Sequence, residues 1–416
     1  MDLPLFVKIR QHFPRPVIAD IPRQISEKLQ KINLNARLEP GQRIAITAGS
    51  RGIANIAIIL RAVVQAVRAA GAEPFLLAAM GSHGGGSEQG QIEVLTSLGI
   101  TENSVGCPVL ATAEAVEIGQ TAKGRKVYCD ALAWQADGIL VVNRVKPHTT
   151  FHGPVESGLL KMMTVGLGKA PGAAAFHRTR PGEMAQAILD VGDVFLRSGK
   201  IVAGLAVVEN GYEETAMVET ALPEGLVELE KRLLKEAYRL LPRLPVDYLD
   251  FLVVGEMGKN ISGTGMDVNV IGRMRMAGVP EPRHPFIERI VVLDLTAQSH
   301  GNATGIGLAD ITTARLAAKI DREATYLNCL TSGNLQRAML PVVMPDDRKA
   351  IEAALQSLAT DDTGNLKGAI IKNTLEMEHL WVTERLARDL ARHTGVDIVS
   401  PPQRLVFAGG LLALDW

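Results

Sequence analysis

The chain has 416 residues, of which 47% are hydrophobic and 21% charged, and its formal net charge is −1. That length exceeds one ordinary core and predicts two domains. The balanced charge and the 4% aromatic content give no footprint for nucleic acid or for an anionic membrane surface. The opening MDLPLFVKIRQHFPRP lacks the basic-then-apolar build of a secretory signal, and no apolar run has the length of a bilayer span. Cys107, Cys129 and Cys329 form no C-x-x-C pair, which argues against a disulfide framework or a thiolate metal site. These features together predict a cytoplasmic protein in which any metal is held by histidine or by a bound cofactor.

In chain order, RIAITAG (43–49) reads as a strand and NIAIILRAVVQAVRAAG (55–71) as an apolar-rich helix closed by glycine. A second strand is expected at 74–81, followed by the glycine-rich loop GSHGGGSEQG and a helix. Further strands are expected at 138–145 and 201–210, and a charged helix at 225–241. The proline-punctuated PRLPVD then marks a linker. Beyond it, strands at 250–258 and 288–296 and a helix at 310–320 begin a second unit. Strands alternating with helices predict an α/β fold of two domains, each a largely parallel sheet flanked by helices, with the active site in the cleft between them. The expected division is 1–245 and 246–400, with the tail 401–416 returning to the first domain as a strand.

The stretch from Lys146 to His177, KPHTTFHGPVESGLLKMMTVGLGKAPGAAAFH, carries the most chemistry. It sets His148, His152, Lys161 and His177 among glycines and apolar residues, a mixture that suits a pocket wall. A core segment would bury such groups only at a cost, and a surface loop has no use for LLKMMTVGL. His148 and His152 stand four apart, but Pro147 and Gly153 predict an irregular loop rather than a helical zinc pair. Lys161 reads either as a site residue or as a snorkelling lysine at the end of a buried helix.

Arg51, in TAGSRGIAN between a strand and a helix, is placed to receive an anion, or is an ordinary surface arginine at a turn. His83, in MGSHGGGSEQG, is an acid–base candidate at a strand end, or part of a flexible turn. In the second unit, GTGMDVNVIGRMRM carries Asp267, Asn269, Arg273 and Arg275, and its two arginines either hold a carboxylate or are solvated charges. The loops GSHGGG and GNATGIG lack G-x-G-x-x-G spacing, so neither reads as a dinucleotide fingerprint.

In order along the chain, these motifs resemble the lactate racemase family, the 2-hydroxyacid racemases and epimerases that use a nickel-pincer nucleotide. The resemblance rests on Pro147-His148, on Ser157-Gly158-Leu159-Leu160-Lys161, and on His177 sixteen residues beyond that lysine. Arg51, the Gly-x-His loop with His83, Asp267-Val268-Asn269 and Arg275 extend it. The resemblance implies that Lys161 attaches the mononucleotide through a thioamide, within a cofactor site that includes Ser157 and Gly158. It implies that His177 completes nickel coordination, that His83 and His148 are paired acid–base residues, and that Arg51 and Arg275 receive the substrate carboxylate. It also implies a small-molecule 2-hydroxyacid substrate and cofactor-synthesis proteins as partners.

The departures fall on substrate-facing positions. AGSRG replaces the family's Asp-x-Thr-Arg-Pro, Gly84-Gly85 replaces an Arg-Pro, and Gly272 and Arg275 replace a glutamine and a lysine. The interval from Pro-His to the lysine is about three residues longer, which leaves His152 as a rival to His148. A hydroxyacid dehydrogenase or lyase on the same scaffold, or a non-catalytic carrier of nickel or its cofactor, are the alternatives. The sequence leaves the assembly state open, a homodimer among the options.

Overall fold

The computed structural model describes residues 3–360 and 362–416. The chain divides into two compact units, one of residues 14–241 and the other of the segment up to Phe13 together with Pro242–Trp416. Strand β1 (Phe6–Gln11) therefore precedes the first unit in sequence but belongs to the second.

The unit 14–241 is built on β2 (Arg43–Ala48), β3 (Glu73–Ala78), β4 (Val109–Leu110), β5 (Ala115–Gln120), β6 (Lys126–Asp130), β7 (Gly138–Arg144), β8 (Ile201–Glu209) and β9 (Thr215–Ala221). Its main sheet has the order β4-β3-β2-β7-β8-β9, parallel except for β9, which runs antiparallel to β8. The remaining strands, β5 and β6, pair as a separate antiparallel ribbon. Alternate residues of the central strands enter opposite cores. Ala45, Ile139, Val141 and Ala206 face one, and Ile44, Ile46, Leu140 and Leu205 face the other. Both faces are buried, so these strands read as continuous apolar runs. Helices Ile21–Lys31 and Ile56–Ala69 cover one face; Met184–Arg197 and Leu226–Leu240 contribute to the core on the other.

From β2 the chain moves outward through β3 to β4, and then returns to add β7 on the opposite side of β2. The connection order thus reverses between β2 and β7. In an open parallel sheet, ligands collect at the carboxyl ends of the strands beside such a reversal.

The second unit contains β1, β10 (Tyr248–Met257), β11 (Phe286–Leu295), β12 (Ile311–Thr313), β13 (Val342–Met344), β14 (Gly368–Ile371), β15 (His379–Thr383), β16 (Val396–Ile398) and the hairpin β17 (Val406–Ala408) and β18 (Leu411–Ala413). Its eight-stranded sheet has the order β13-β12-β11-β10-β14-β15-β1-β16. Strands β10 to β14 are mutually parallel, and β15, β1 and β16 extend them antiparallel.

Three sequence expectations are corrected here. The stretch 310–320 begins as β12, whose Ile311, Thr312 and Thr313 are buried in the sheet, and turns helical only at Ala314. Residues 3–13 do not join the first unit, because β1 pairs with β15 and β16 and buries Phe6 and Ile9 completely. The tail does not return to the first unit either. Phe407, Leu412 and Leu414 pack on the core around Phe6 and Phe251, and the Leu412 amide donates to Asp347 at 2.9 Å.

Phe6 is fully buried, with its ring edge-on to Phe251 at 6.3 Å between centroids. Truncating a buried phenylalanine costs about 3–5 kcal/mol through lost transfer energy and an unfilled cavity. Phe6→Ala is therefore expected to lower the urea midpoint of the Pro242–Trp416 unit by that equivalent. Tyrosine fluorescence of Tyr248 and Tyr326 checks this, and an unchanged midpoint would remove β1 from that core.

Candidate active site

Lys161 closes a one-turn helix, Leu159–Lys161, that continues as a π-helical stretch Met162–Leu167. Such wide turns concentrate at functional sites, because they displace a side chain from the regular helical face. Leu159 and Leu160 are fully buried and fix the turn to the sheet. The preceding Gly158 lies against the carboxyl group of Glu230, where a Cβ has no room. Its carbonyl accepts from Asn143 Nδ2 at 2.7 Å. Glu230 in turn accepts from the Leu160 amide at 2.9 Å through Oε2, while its buried Oε1 has no hydrogen-bond partner. Burial pushes Glu230 up to about 7, against the smaller opposing pull of the Leu160 and Leu159 amides.

The Lys161 ammonium is itself disfavoured. Burial, then the charges of Arg51 and Lys146, bring its pKa down to about 7, with Glu156 opposing. Its Nζ stands 2.6 Å from His148 Nε2. The other ring nitrogen, His148 Nδ1, accepts from the Thr150 amide at 3.1 Å, which places the ring proton on Nε2. A neutral Lys161 amine then accepts from that proton. Stacking on Phe151, at 4.3 Å between centroids, fixes the imidazole plane.

The loop carrying both candidate histidines is organised by Glu156, which is only 1% exposed. Its carboxylate accepts from the His148 amide at 2.6 Å, from the Gly153 amide at 3.1 Å and from the Tyr238 hydroxyl at 2.9 Å. Ser157 ties the loop base to Lys146 through paired backbone hydrogen bonds. His152 is held by a different partner. Its Nδ1 lies 2.8 Å from the Tyr238 hydroxyl, and the ring is exposed.

Arg51 follows β2, and His83 follows the neighbouring β3. Ser50 Oγ forms a short hydrogen bond with His83 Nδ1, linking the two loops. Arg51 keeps solvent access, yet the protein crowding its guanidinium lowers its pKa, and Arg144 adds repulsion. Arg144 is ion-paired to Glu209, whose other oxygen accepts from the Ala54 amide at 2.6 Å. That pair holds the start of the Ile56–Ala69 helix and leaves Arg51 without an ion-pair partner among the described residues. His177 ends the helix Lys169–His177. Burial and then the charge of Lys161 lower its pKa, which favours the neutral imidazole that can ligate a metal.

Arg51, His83, His148, Lys161 and His177 thus all belong to the unit 14–241, and charge or hydrogen bonding links Arg51 to Lys161, Lys161 to His148, and His177 to Lys161. Arg275 lies in the other unit, with a left-handed backbone at φ 43°. Its guanidinium is engaged there by Asp310 at 2.6 Å and by the carbonyls of Gly307 and Ala309. Asp310 also pairs with Arg273 at 2.6 Å, and Asp267 Oδ1 accepts from the Asn269 amide at 2.9 Å as a helix cap.

Residues 12–185 match the lactate racemase N-terminal domain, a span that holds Arg51, His83, His148, Lys161 and His177. The chain carries a lactate racemase N-terminal domain. Its fold is similar to that of the lactate racemase apoprotein from Thermoanaerobacterium thermosaccharolyticum, with a TM-score of 0.56 at 12% identity, over 89% of this chain and 98% of that one. Comparison with curated proteins returns no match. No helix among the described residues is long and apolar enough to cross a membrane.

Sequence reasoning passed over Glu156, Glu230, Tyr238, Ser50 and Arg144. Glu156 had a visible signal, as the lone acidic residue among the histidines of the Lys146–His177 stretch. Glu230 had none, because it sits inside a helix, Leu226–Leu240, whose other charges are ordinary surface groups.

Two measurements follow from this electrostatics. A lysine near pKa 7 is largely free amine at pH 8, when ordinary lysines remain protonated. Competitive amine labelling read by mass spectrometry is expected to show Lys161 reactivity rising through about pH 7, and a midpoint near the usual lysine value would refute the desolvated amine. Glu230 carries the opposite consequence for stability. Because its folded pKa is raised, the stability it contributes is complete below about 4.5 and falls as pH rises to about 7. Glu230→Gln keeps the acceptor for Leu160 and removes the charge. The variant is expected to be more stable than the parent at pH 8, by on the order of 1–3 kcal/mol in urea unfolding, and no more stable at pH 4.

Proposed function

We propose that this protein is a racemase or epimerase of a 2-hydroxyacid that works with a nickel-pincer nucleotide anchored on Lys161. Family and fold support the racemase or epimerase type of reaction. The observation that carries the finer reading is the Lys161 amine, brought to near-neutral pKa and held 2.6 Å from His148, with Arg51 close enough to depress it.

The donor set fits such a group. Among the described residues no cluster of three or more His, Cys, Asp and Glu side chains is arranged to hold a metal ion. A metal at this site must bring most of its donors with it, and His177 supplies one neutral imidazole from the protein. Lys161 supplies an amine able to form an amide-type linkage at neutral pH. Ser157 and Gly158 shape the turn that presents it. When bound, the group supplies hydride acceptance and return at C2, which no side chain offers.

The protein's own residues do the remainder. Arg51 holds the substrate carboxylate, so that only the C2 substituents rearrange. Arg275 can assist only by exchanging its Asp310 partner. His83 and His148 take and return the hydroxyl proton, one for each enantiomer. Once its lone pair is committed to the linkage, Lys161 no longer accepts from His148, and Nε2 can face the substrate as a proton donor, or as an acceptor once the ring proton has moved to Nδ1 and the Thr150 contact is released. Tyr238 and Glu156 hold His152 outside this exchange, so we assign the second acid–base role to His148. A small-molecule hydroxyacid and the proteins that make the cofactor are the partners this chemistry requires.

The test is inversion of a panel of 2-hydroxyacids and sugar acids in heavy water, read by mass spectrometry of the product. Inversion with C2–H largely retained is expected. Extensive deuteration at C2 would overturn hydride transfer, and strict dependence on added NAD would favour a dehydrogenase. His83→Ala and His148→Ala are expected to lose roughly 10²–10⁴-fold in turnover and His152→Ala little. Abolition by His152→Ala alone would reverse the assignment of the pair.

A further inference from the structure

Lys169 lies eight residues beyond Lys161 and is as buried as the surrounding leucines, with 1% of its surface exposed. It also has a left-handed backbone, at φ 53°, where a side-chain-bearing residue is uncommon. That residue is the junction between the π-helical stretch after Lys161 and the helix that ends in His177. A strained conformation persists only where the surroundings over-determine it.

The surroundings here are polar and specific. Lys169 Nζ donates to the Ala78 carbonyl at the end of β3 at 3.1 Å and to Gln91 Oε1 at 2.6 Å. It also pairs with Asp130 Oδ2 at 3.2 Å. The other oxygen of Asp130 is committed to the amides of Leu132 and Ala133, so that carboxylate cannot turn away. Gln91 is fully buried, and the ammonium at its oxygen dictates which way its amide points. Its Nε2 is thereby aimed at the loop after β3, where it donates to the carbonyls of Gly81, at 3.1 Å, and His83, at 3.4 Å. Nothing in the proton transfers described above uses these groups.

We infer that Lys169 and Gln91 are positioning residues, a buried clamp that locks the His83 loop to the helical run carrying Lys161 and His177. One ammonium fixes the kink on its backbone side and, through Gln91, the loop on its side-chain side. The catalytic meaning of the clamp rests on the reading of His83 as an acid–base residue, whereas its existence does not.

The decisive variant is Gln91→Met, which keeps length and packing, adds no charge, and leaves Lys169 its Ala78 and Asp130 partners. Measurements on cofactor-free protein separate the two questions. With far-UV circular dichroism unchanged, hydrogen exchange of residues 81–86 is expected to accelerate by about tenfold, the loss of one to two net hydrogen bonds. The His83 ring resonance is expected to move toward that of a solvated histidine. In loaded enzyme kcat is expected to fall by about tenfold with KM within about twofold, as for a displaced but intact base. Lys169→Met should loosen the same loop, and Lys169→Arg should restore part of the protection; if either fails to fold, Gln91→Met alone decides. A folded Gln91→Met protein with unchanged 81–86 exchange and an unchanged His83 resonance overturns the clamp. Full activity in His83→Ala, with the loop still loosened in Gln91→Met, would instead overturn the acid–base reading and leave the clamp standing.

Discussion

The site depends on one desolvation. A primary ammonium placed where water solvates it poorly, and beside Arg51 and Lys146, gives up its proton near neutrality. Everything around Lys161 serves that condition. Buried Leu159 and Leu160 hold its turn against the sheet, Gly158 lets the turn approach Glu230, and His148 supplies a donor that a neutral amine can accept. Were Lys161 solvated, it would be an inert cation at physiological pH and could not accept from His148 Nε2–H.

Much of this was legible in the sequence. The alternation of strands and helices predicted the α/β class, and the apolar runs of β2, β7 and β8 reflect burial on both faces. The Lys146–His177 stretch announced itself by setting ionisable groups among leucines and methionines, and its motif spacing identified the family. What was not legible is long-range pairing. Nothing near Phe6 in sequence indicates that the strand partners of β1 lie beyond residue 378, and Ile311–Thr313 reads as the start of a helix because its β character comes from neighbours on both sides. Lys169 was visible only as one lysine in GLGKAPG. Its left-handed backbone and its three acceptors exist only after β3, β6 and the helix Glu88–Ser97 have come together.

The two units handle charge differently. In the unit 14–241 Arg51 has its pKa lowered by burial and has no ion-pair partner among the described residues, so an anionic ligand would find it uncompensated, while Lys161 is brought toward the neutral amine. In the other unit Arg273 and Arg275 share Asp310 and donate further to the backbone carbonyls of Leu308, Ile287, Gly307 and Ala309. A guanidinium so enclosed is a structural tie first, because removing it would orphan a carboxylate and several carbonyls. The candidate site residues Arg51, His83, His148, Lys161 and His177 therefore all lie in one unit, in the span that matches the lactate racemase N-terminal domain.

The placement of β1 has a consequence for how the chain is made. Synthesis delivers Phe6–Gln11 before the strands it pairs with, His379–Thr383 and Val396–Ile398. The contiguous segment 14–241 can fold as soon as it leaves the ribosome, because all of its sheet partners lie within it. Its neighbour must wait until Val396–Ile398 has been made, with an apolar strand left unpaired meanwhile. The unit 14–241 is thus assembled first, and the later strand pairings close around a segment translated long before them.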